Sequence, residues 1–154
     1  MRIAVNVQTL VQNKMEGLGW FTYEIISRIV KNHPEHNFTF IFGKGIVNEY
    51  YFSDNIDCVN IGPKYFRPLA WLIKFGFLIP RFVNNGNFDL YISPDGWSSM
   101  QIKVKTLIVI HDINFEHYPA FSPWSFRTYY KYFFKRWAKH ANRIVTVSQY
   151  SKTD

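Results

Sequence analysis

The sequence has a single cysteine among its 154 residues, Cys58, so no disulfide can form within the chain. A reducing compartment suits it. The amino terminus lacks a signal-peptide pattern. Ile3-Ala4-Val5 gives way at once to Asn6 and Gln8, with no unbroken apolar segment. No apolar run reaches the ~20 residues of a membrane span. The longest, Leu69 to Pro80, is broken by Lys74. These absences predict a cytoplasmic protein, and Asn37-Phe38-Thr39 is then a chance glycosylation sequon. Metal-ligand spacing is missing too. His33, His36, His117 and His140 form no such pattern and Cys58 stands alone, so no zinc site is expected. There is no internal repeat, low-complexity segment or linker.

The most telling absence is acidic. Between His117 and Thr153 there is no Asp or Glu, while Arg127, Lys131, Lys135, Arg136, Lys139, Arg143 and Lys152 all fall there. Those seven charges equal the whole net charge of +7. A one-sided basic region implies an anionic partner, whether a lipid surface, a nucleic acid or a phosphorylated substrate.

A chain of this length buries roughly 68–70% of its unfolded surface and needs no staples. It reads as one domain over residues 1–154. Arg2 to Leu10 is a first strand with Ile3, Val5 and Val7 on one face. After the Gly17-Leu18-Gly19 loop, Leu18, Phe21, Ile25, Ile26, Ile29 and Val30 recur at helical spacing until Pro34. Phe38 to Phe42 and, more weakly, Cys58 to Ile61 are strands. Leu69 to Ile79 is a helix, entered through Pro68, flanked by Lys64, Arg67 and Arg81, and ended by Pro80. Asn84 to Asn87 is a turn. Phe88 to Ser93 and Thr106 to Ile110 are strands. Ser125 to Ala141 is the longest helix, and Arg143 to Val147 is a last buried strand. Strands apolar on both faces, alternating with helices, predict an α/β fold: a mostly parallel, Rossmann-like sheet with helices on both sides.

Several residues stand where such a fold does chemistry. The glycine loop lies between first strand and first helix, where phosphate binds in doubly wound folds. There the helix offers free N–H groups and a favourable dipole; the alternative is a flexible loop that merely starts the helix. The third glycine of the dinucleotide fingerprint is replaced by Thr22. His111 follows a strand and can donate to a hydroxyl or carry a proton near neutrality; Asp112 either orients it or caps a turn. Asp95-Gly96 follows another strand end, bordering the same crevice or making a tight turn. Ser148 is placed to cap a helix and Lys152 to meet phosphate.

Helix 125–141 is two-faced. Phe126, Tyr129, Tyr130, Phe133, Phe134, Trp137 and Ala138 form an apolar face that reads as core. Arg127, Lys131, Lys135 and Lys139 form a cationic stripe, either solvated or docked on an anionic surface. The Leu69–Ile79 helix is apolar nearly all round through Trp71, Phe75, Phe77 and Leu78. It is buried or touches a membrane.

Three motifs together resemble the amino-terminal half of a family 4 glycosyltransferase of the GT-B fold. They are Gly17-Leu18-Gly19 leading into Phe21-Thr22-Tyr23-Glu24-Ile25, the strand ending in His111-Asp112, and the aromatic-basic helix followed by Ile144-Val145-Thr146-Val147-Ser148-Gln149-Tyr150-Ser151-Lys152-Thr153-Asp154. The resemblance implies retaining transfer from a nucleotide-sugar, without a metal cofactor, to a glycan or lipid-linked acceptor, in cell-surface polysaccharide synthesis. It implies that Gly17 approaches the donor diphosphate and that His111 contacts the donor sugar as the catalytic group. Gly19, Asp95, Asp112, Ser148 and Lys152 are expected around the donor or acceptor cleft. Glu16 and Trp20 depart from the family pattern, standing where many relatives have glycine and arginine. The expected partners are the two substrates, an anionic membrane surface on the inner face, and a donor-binding domain absent from this chain, without which it should be inactive. The competing reading is a non-enzymatic module docking on anionic membrane or nucleic acid. Nucleic acid is disfavoured because the aromatics lie opposite the charges. A dehydrogenase is disfavoured by the missing third glycine and the lack of an acidic residue after the second strand.

Overall fold

The computed structural model describes residues 1–11, 15–62, 68–121 and 123–154. The expected basic flanks Lys64 and Arg67, and the side chains of Pro68, Leu69, Ser125 and Phe126, lie outside the described residues.

Six parallel strands form one sheet: β1 (Arg2–Asn6), β2 (Asn37–Phe42), β3 (Ile56–Asn60), β4 (Leu90–Ser93), β5 (Lys105–Ile110) and β6 (Arg143–Thr146). Their spatial order is β3-β2-β1-β4-β5-β6. Val5 on β1 is paired with Phe40 of β2 on one side and Ile92 of β4 on the other. Strand order reverses between β1 and β4, which opens a crevice beyond their carboxyl ends.

Alternation along the strands divides the core in two. On one face Ile3, Val5, Phe38, Phe40 and Phe42 pack under Ile26 and Val30 of helix α1 (Gly17–Asn32). On the other, Ala4, Ile41 and Tyr91 meet a cluster of aromatic rings. Trp97 is its hub, with ring centroids 3.8 Å from Trp71, 5.4 Å from Phe75, 4.9 Å from Tyr130 and 5.5 Å from Trp137. Tyr130 and Trp137 belong to helix α5 (Trp124–His140). Its apolar face is core, as its spacing predicts.

Three expectations need correction. First, Pro80 does not end the middle helix. Helix α2 (Pro68–Ile73) runs through a π-helical turn (Lys74–Leu78) into α3 (Ile79–Asn85). Pro80 falls in the first turn of α3, where a missing N–H costs little, and the wider turn before it makes room for the ring. Second, this segment, apolar nearly all round, is neither wholly buried nor wholly exposed, and the charge that interrupts it faces the core. Lys74 and Phe75 point inward, while Leu72, Ile73 and Phe77 are exposed. The apolar stretch therefore buries its one charge and shows part of its oil. Third, β6 is not buried: it pairs only with β5 at the sheet edge, and Ile144 and Val145 are about 45% and 44% exposed. Among the described residues no helix is long and apolar enough to cross a membrane.

Candidate active site at the carboxyl edge of the sheet

His111 lies just beyond β5, half-buried. Its Nε2 sits 2.7 Å from the carbonyl of Pro94, in the loop after β4. Nε2 must hold a proton to donate there, so Nδ1 is the acceptor of the neutral ring. Nδ1 has no partner among the described residues. The ring packs edge-on against Phe21 of α1 at 4.7 Å. The His111 carbonyl accepts a hydrogen bond from Ser151 Oγ at 3.0 Å. Ser151 lies on α6 (Gln149–Thr153), the short helix after β6. One residue therefore joins the three: its imidazole touches the first helix and the β4 loop, and its backbone carbonyl holds the last helix, so motifs over a hundred residues apart meet on it.

The two loop glycines do different jobs. A side chain at Gly17 would meet nothing within 4 Å, so the entry to α1 is open for a ligand to approach. One at Gly19 would lie 2.9 Å from the Thr9 carbonyl and 2.8 Å from Met15 Cγ. Gly19 is thus a close-packing glycine. Thr22, standing for the third fingerprint glycine, is buried and bonded to Thr9 Oγ1 at 3.1 Å. Glu16 takes the N-cap position without a side-chain cap bond, and Trp20 is half exposed.

Asp95 accepts from Asn6 Nδ2 (2.8 Å), Ser93 Oγ (2.7 Å) and the Trp97 amide (3.2 Å). It makes the tight turn, and its bond to Asn6 ties that turn to the end of β1. Desolvation outweighs those bonds and raises its pKa to about 6. Gly96 has φ 78° and would place a side chain 2.9 Å from the Val109 carbonyl, so only glycine serves. Asp112 has no hydrogen bond to His111 among the described residues; its Oδ1 accepts from the Asn114 amide at 3.0 Å, making the turn that leads into the short helix α4 (Asn114–His117). Ser148 caps α6, accepting from the Ser151 amide at 3.0 Å. Lys152 is exposed on α6. A polar cavity of about 280 Å³ beside these helices is lined by Asp112, His117, Tyr118, Tyr150 and Asp154.

The cationic stripe is partly spent. Arg127 donates to the Pro119 carbonyl, and Lys131 pairs with Glu116 at 2.9 Å, just outside the acid-free window. Lys135 and Lys139 remain exposed. At the opposite edge, His33, Glu35 and His36 place their ligating atoms within 4.8 Å of one another, which their spacing did not suggest. His33 Nδ1 and His36 Nε2 lie 3.1 Å and 3.5 Å from Glu35 Oε1, with His33 and Glu35 exposed.

Sequence reasoning passed over Asn6, Gln8 and Lys74. Asn6 is fully buried with Oδ1 unpaired, and Gln8 Nε2 is buried and unpaired. Lys74 Nζ reaches Gln8 Oε1 at 3.1 Å. The available signal was Lys74 itself, a cation between Trp71 and Phe75 on the inward stripe.

A doubly wound parallel sheet with a glycine-opened helix and a strand-end histidine at its switch point defines the Rossmann-like class of α/β domain. A sequence model of Glycosyltransferase Family 4 matches residues 15–154, and the chain belongs to that family. Comparison with curated proteins gives no match.

Proposed function

We propose that this domain is the acceptor-side half of a retaining glycosyltransferase, working with a donor-binding domain and no metal cofactor. It passes a sugar from a nucleotide-sugar to a glycan or lipid-linked acceptor in cell-surface polysaccharide synthesis. In that reaction the bond from the sugar C1 to the diphosphate oxygen breaks. A bond from C1 to an acceptor oxygen forms on the same face, and the acceptor proton passes to the departing diphosphate. The domain's task is positioning, worth several kcal/mol when geometry is held. The observation that carries the reading is the meeting of all three motifs on His111. Its open Nδ1 is suited to a sugar hydroxyl, and the space at Gly17 to a diphosphate beside a helix N-terminus. In this reading Asp95, Ser148 and Lys152 contribute to the wall of the same cleft. Titration with UDP-glucose, UDP-N-acetylglucosamine or GDP-mannose at millimolar concentration should move the Gly17 amide and His111 ring NMR signals together. Shifts elsewhere with both unmoved would sink the reading.

The same domain rests on the inner face of an anionic membrane. Exposed Leu72, Ile73 and Phe77 support this, since Leu72 lines a small cavity shared with Tyr129 and Phe133 of α5, the helix that carries Lys135 and Lys139. Each surface lysine adds about 1 kcal/mol near acidic lipid. Lys135→Gln/Lys139→Gln should therefore weaken vesicle binding roughly 30-fold. Unchanged co-sedimentation would leave the stripe merely solvated.

A further inference from the structure

Lys74 is the least expected group in the fold. Only 6% of it is exposed, yet its one hydrogen bond among the described residues goes to a neutral amide, Gln8 Oε1. No described carboxylate lies within ion-pair distance of it. Burying an ammonium without a counter-charge costs several kcal/mol. The fold nevertheless makes room for it. A side chain at Gly43, after β2, would come within 2.8 Å of Nζ. One at Gly62, after β3, would come within 2.1 Å of Cε. Lys74 also opens the π-helical turn, a feature often found at functional positions.

What surrounds the ammonium is unfinished. Among the described residues its three protons have one hydrogen-bond acceptor, Gln8 Oε1, and the ammonium lies 5.9 Å from the centroid of the Trp71 ring. Gln8 Nε2 is a buried donor with no acceptor, and Asn6 Oδ1, two residues earlier, a buried acceptor with no donor. A purely structural lysine would close its own network, because unpaired buried groups are costly. Here donors outnumber acceptors beside a buried cation, at the carboxyl ends of β1, β2 and β3 where the crevice opens.

We propose that Lys74 and Gln8 form a subsite for an oxyanion carried by the acceptor, a carboxylate or phosphate on a hydroxylated sugar, with Asn6 Oδ1 receiving a neighbouring hydroxyl. The proposal rests on the acceptor-side reading above and narrows it from any glycan to an acidic one. The anion supplies the missing counter-charge and accepts from both Nζ and Gln8 Nε2, giving charge-assisted bonds in a dry setting. Lys44 on the same rim adds positive potential, and Asp95 opposes it. Burial, chiefly, and Lys44 depress the pKa of Lys74, as expected of a cation awaiting its anion.

The test follows the side-chain carbon signals of Lys74 by NMR in the full chain, assigned by their loss in Lys74→Met. Glucuronate, glucose 1-phosphate and neutral glucose are the probes. Saturable movement with either anion and none with glucose supports the subsite, and the stronger arm tells carboxylate from phosphate. Lys74→Met should weaken that anion roughly tenfold or more while leaving the fold's amide spectrum intact. Should the variant not fold, Gln8→Leu with Lys74 kept provides the same comparison. Glucose moving Lys74 as much as the anions do would overturn the anionic preference while the acceptor reading stood. Anions moving Lys74 while nucleotide-sugars leave His111 and Gly17 still would keep the subsite and remove the transferase cleft. No movement of Lys74 with either anion overturns the inference.

Discussion

The two ends of the sheet differ in how completely their polar side chains are satisfied. At the amino edge they serve the backbone. Asn84 donates to the Gln101 carbonyl and accepts from the Lys103 amide, both at 2.8 Å. Asn142 accepts from the Thr106 amide, Asn55 donates to the His36 carbonyl, and His140 reaches the Ile102 carbonyl. At the carboxyl edge many polar side chains also serve the backbone, as those of His111 and Asp112 do, but others serve one another: Asn6 with Ser93 and Asp95, and Lys74 with Gln8. There atoms are left over among the described residues, Asn6 Oδ1 and Gln8 Nε2 in the interior and His111 Nδ1 at the end of β5. Both edges are built by the same strands, so propensity does not separate them. Closed networks mark the end that only has to hold together; open ones mark the end proposed to meet a ligand.

If that division is right, the carboxyl edge must be held by something other than its polar groups. Trp97 is the candidate, because five rings pack on it directly beneath the β4 loop. Trp97→Ala should cost about 3–5 kcal/mol in urea denaturation, the range for removing a large buried aromatic. A cost below about 2 kcal/mol would return the support to the Asn6–Asp95 network and break the division.

The second effect is smaller and depends on pH. Asp95 holds its proton up to about pH 6 when folded, against 3.8 ordinarily. Below pH 4 both states are protonated and there is no penalty. As pH rises from about 4 to 6 the unfolded chain ionises first, so stability falls; above 6 the loss is constant. At 1.36 kcal/mol per unit the loss is at most about 3 kcal/mol. Asp95→Asn keeps the acceptor oxygen and removes the charge. The variant should match the parent near pH 4 and exceed it above pH 6. Parallel stability curves would show that the carboxyl edge stores no such cost.

The sheet and its layers were legible because β1, β2 and β4 are apolar on both faces and each glycine or proline break lies between elements. His111 and the glycine loop were legible too, since strand ends and helix starts can be counted along a chain. Three things were not. Pro80 reads as a stop unless a π-helical turn comes before it, and nothing local announces one. Lys74 reads as an interruption because hydropathy assigns charge to the outside; its inward place depends on Gly43 and Gly62, distant in sequence. The strength of the α5 stripe depended on Glu116, one residue beyond the acid-free window. In each case the deciding partner lies outside the local pattern.

The smallest predicted effect tests the quiet end. Asn84 ties the end of α3 to the loop before β5 by two bonds to backbone groups. Asn84→Ala should cost about 1–2 kcal/mol, since each such bond is worth about 1 net. The cost should be the same at pH 4 and pH 8, because no ionising group takes part. Lys74 and His111 should answer anions and nucleotide-sugars as in the parent, because the loss falls at the far edge of a sheet that stays folded. A folded Asn84→Ala chain with weakened carboxyl-edge binding would mean that the amino edge sets the geometry of the cleft. The two ends would then be one coupled structure, and closed networks at one end would be part of how the open ones are held apart.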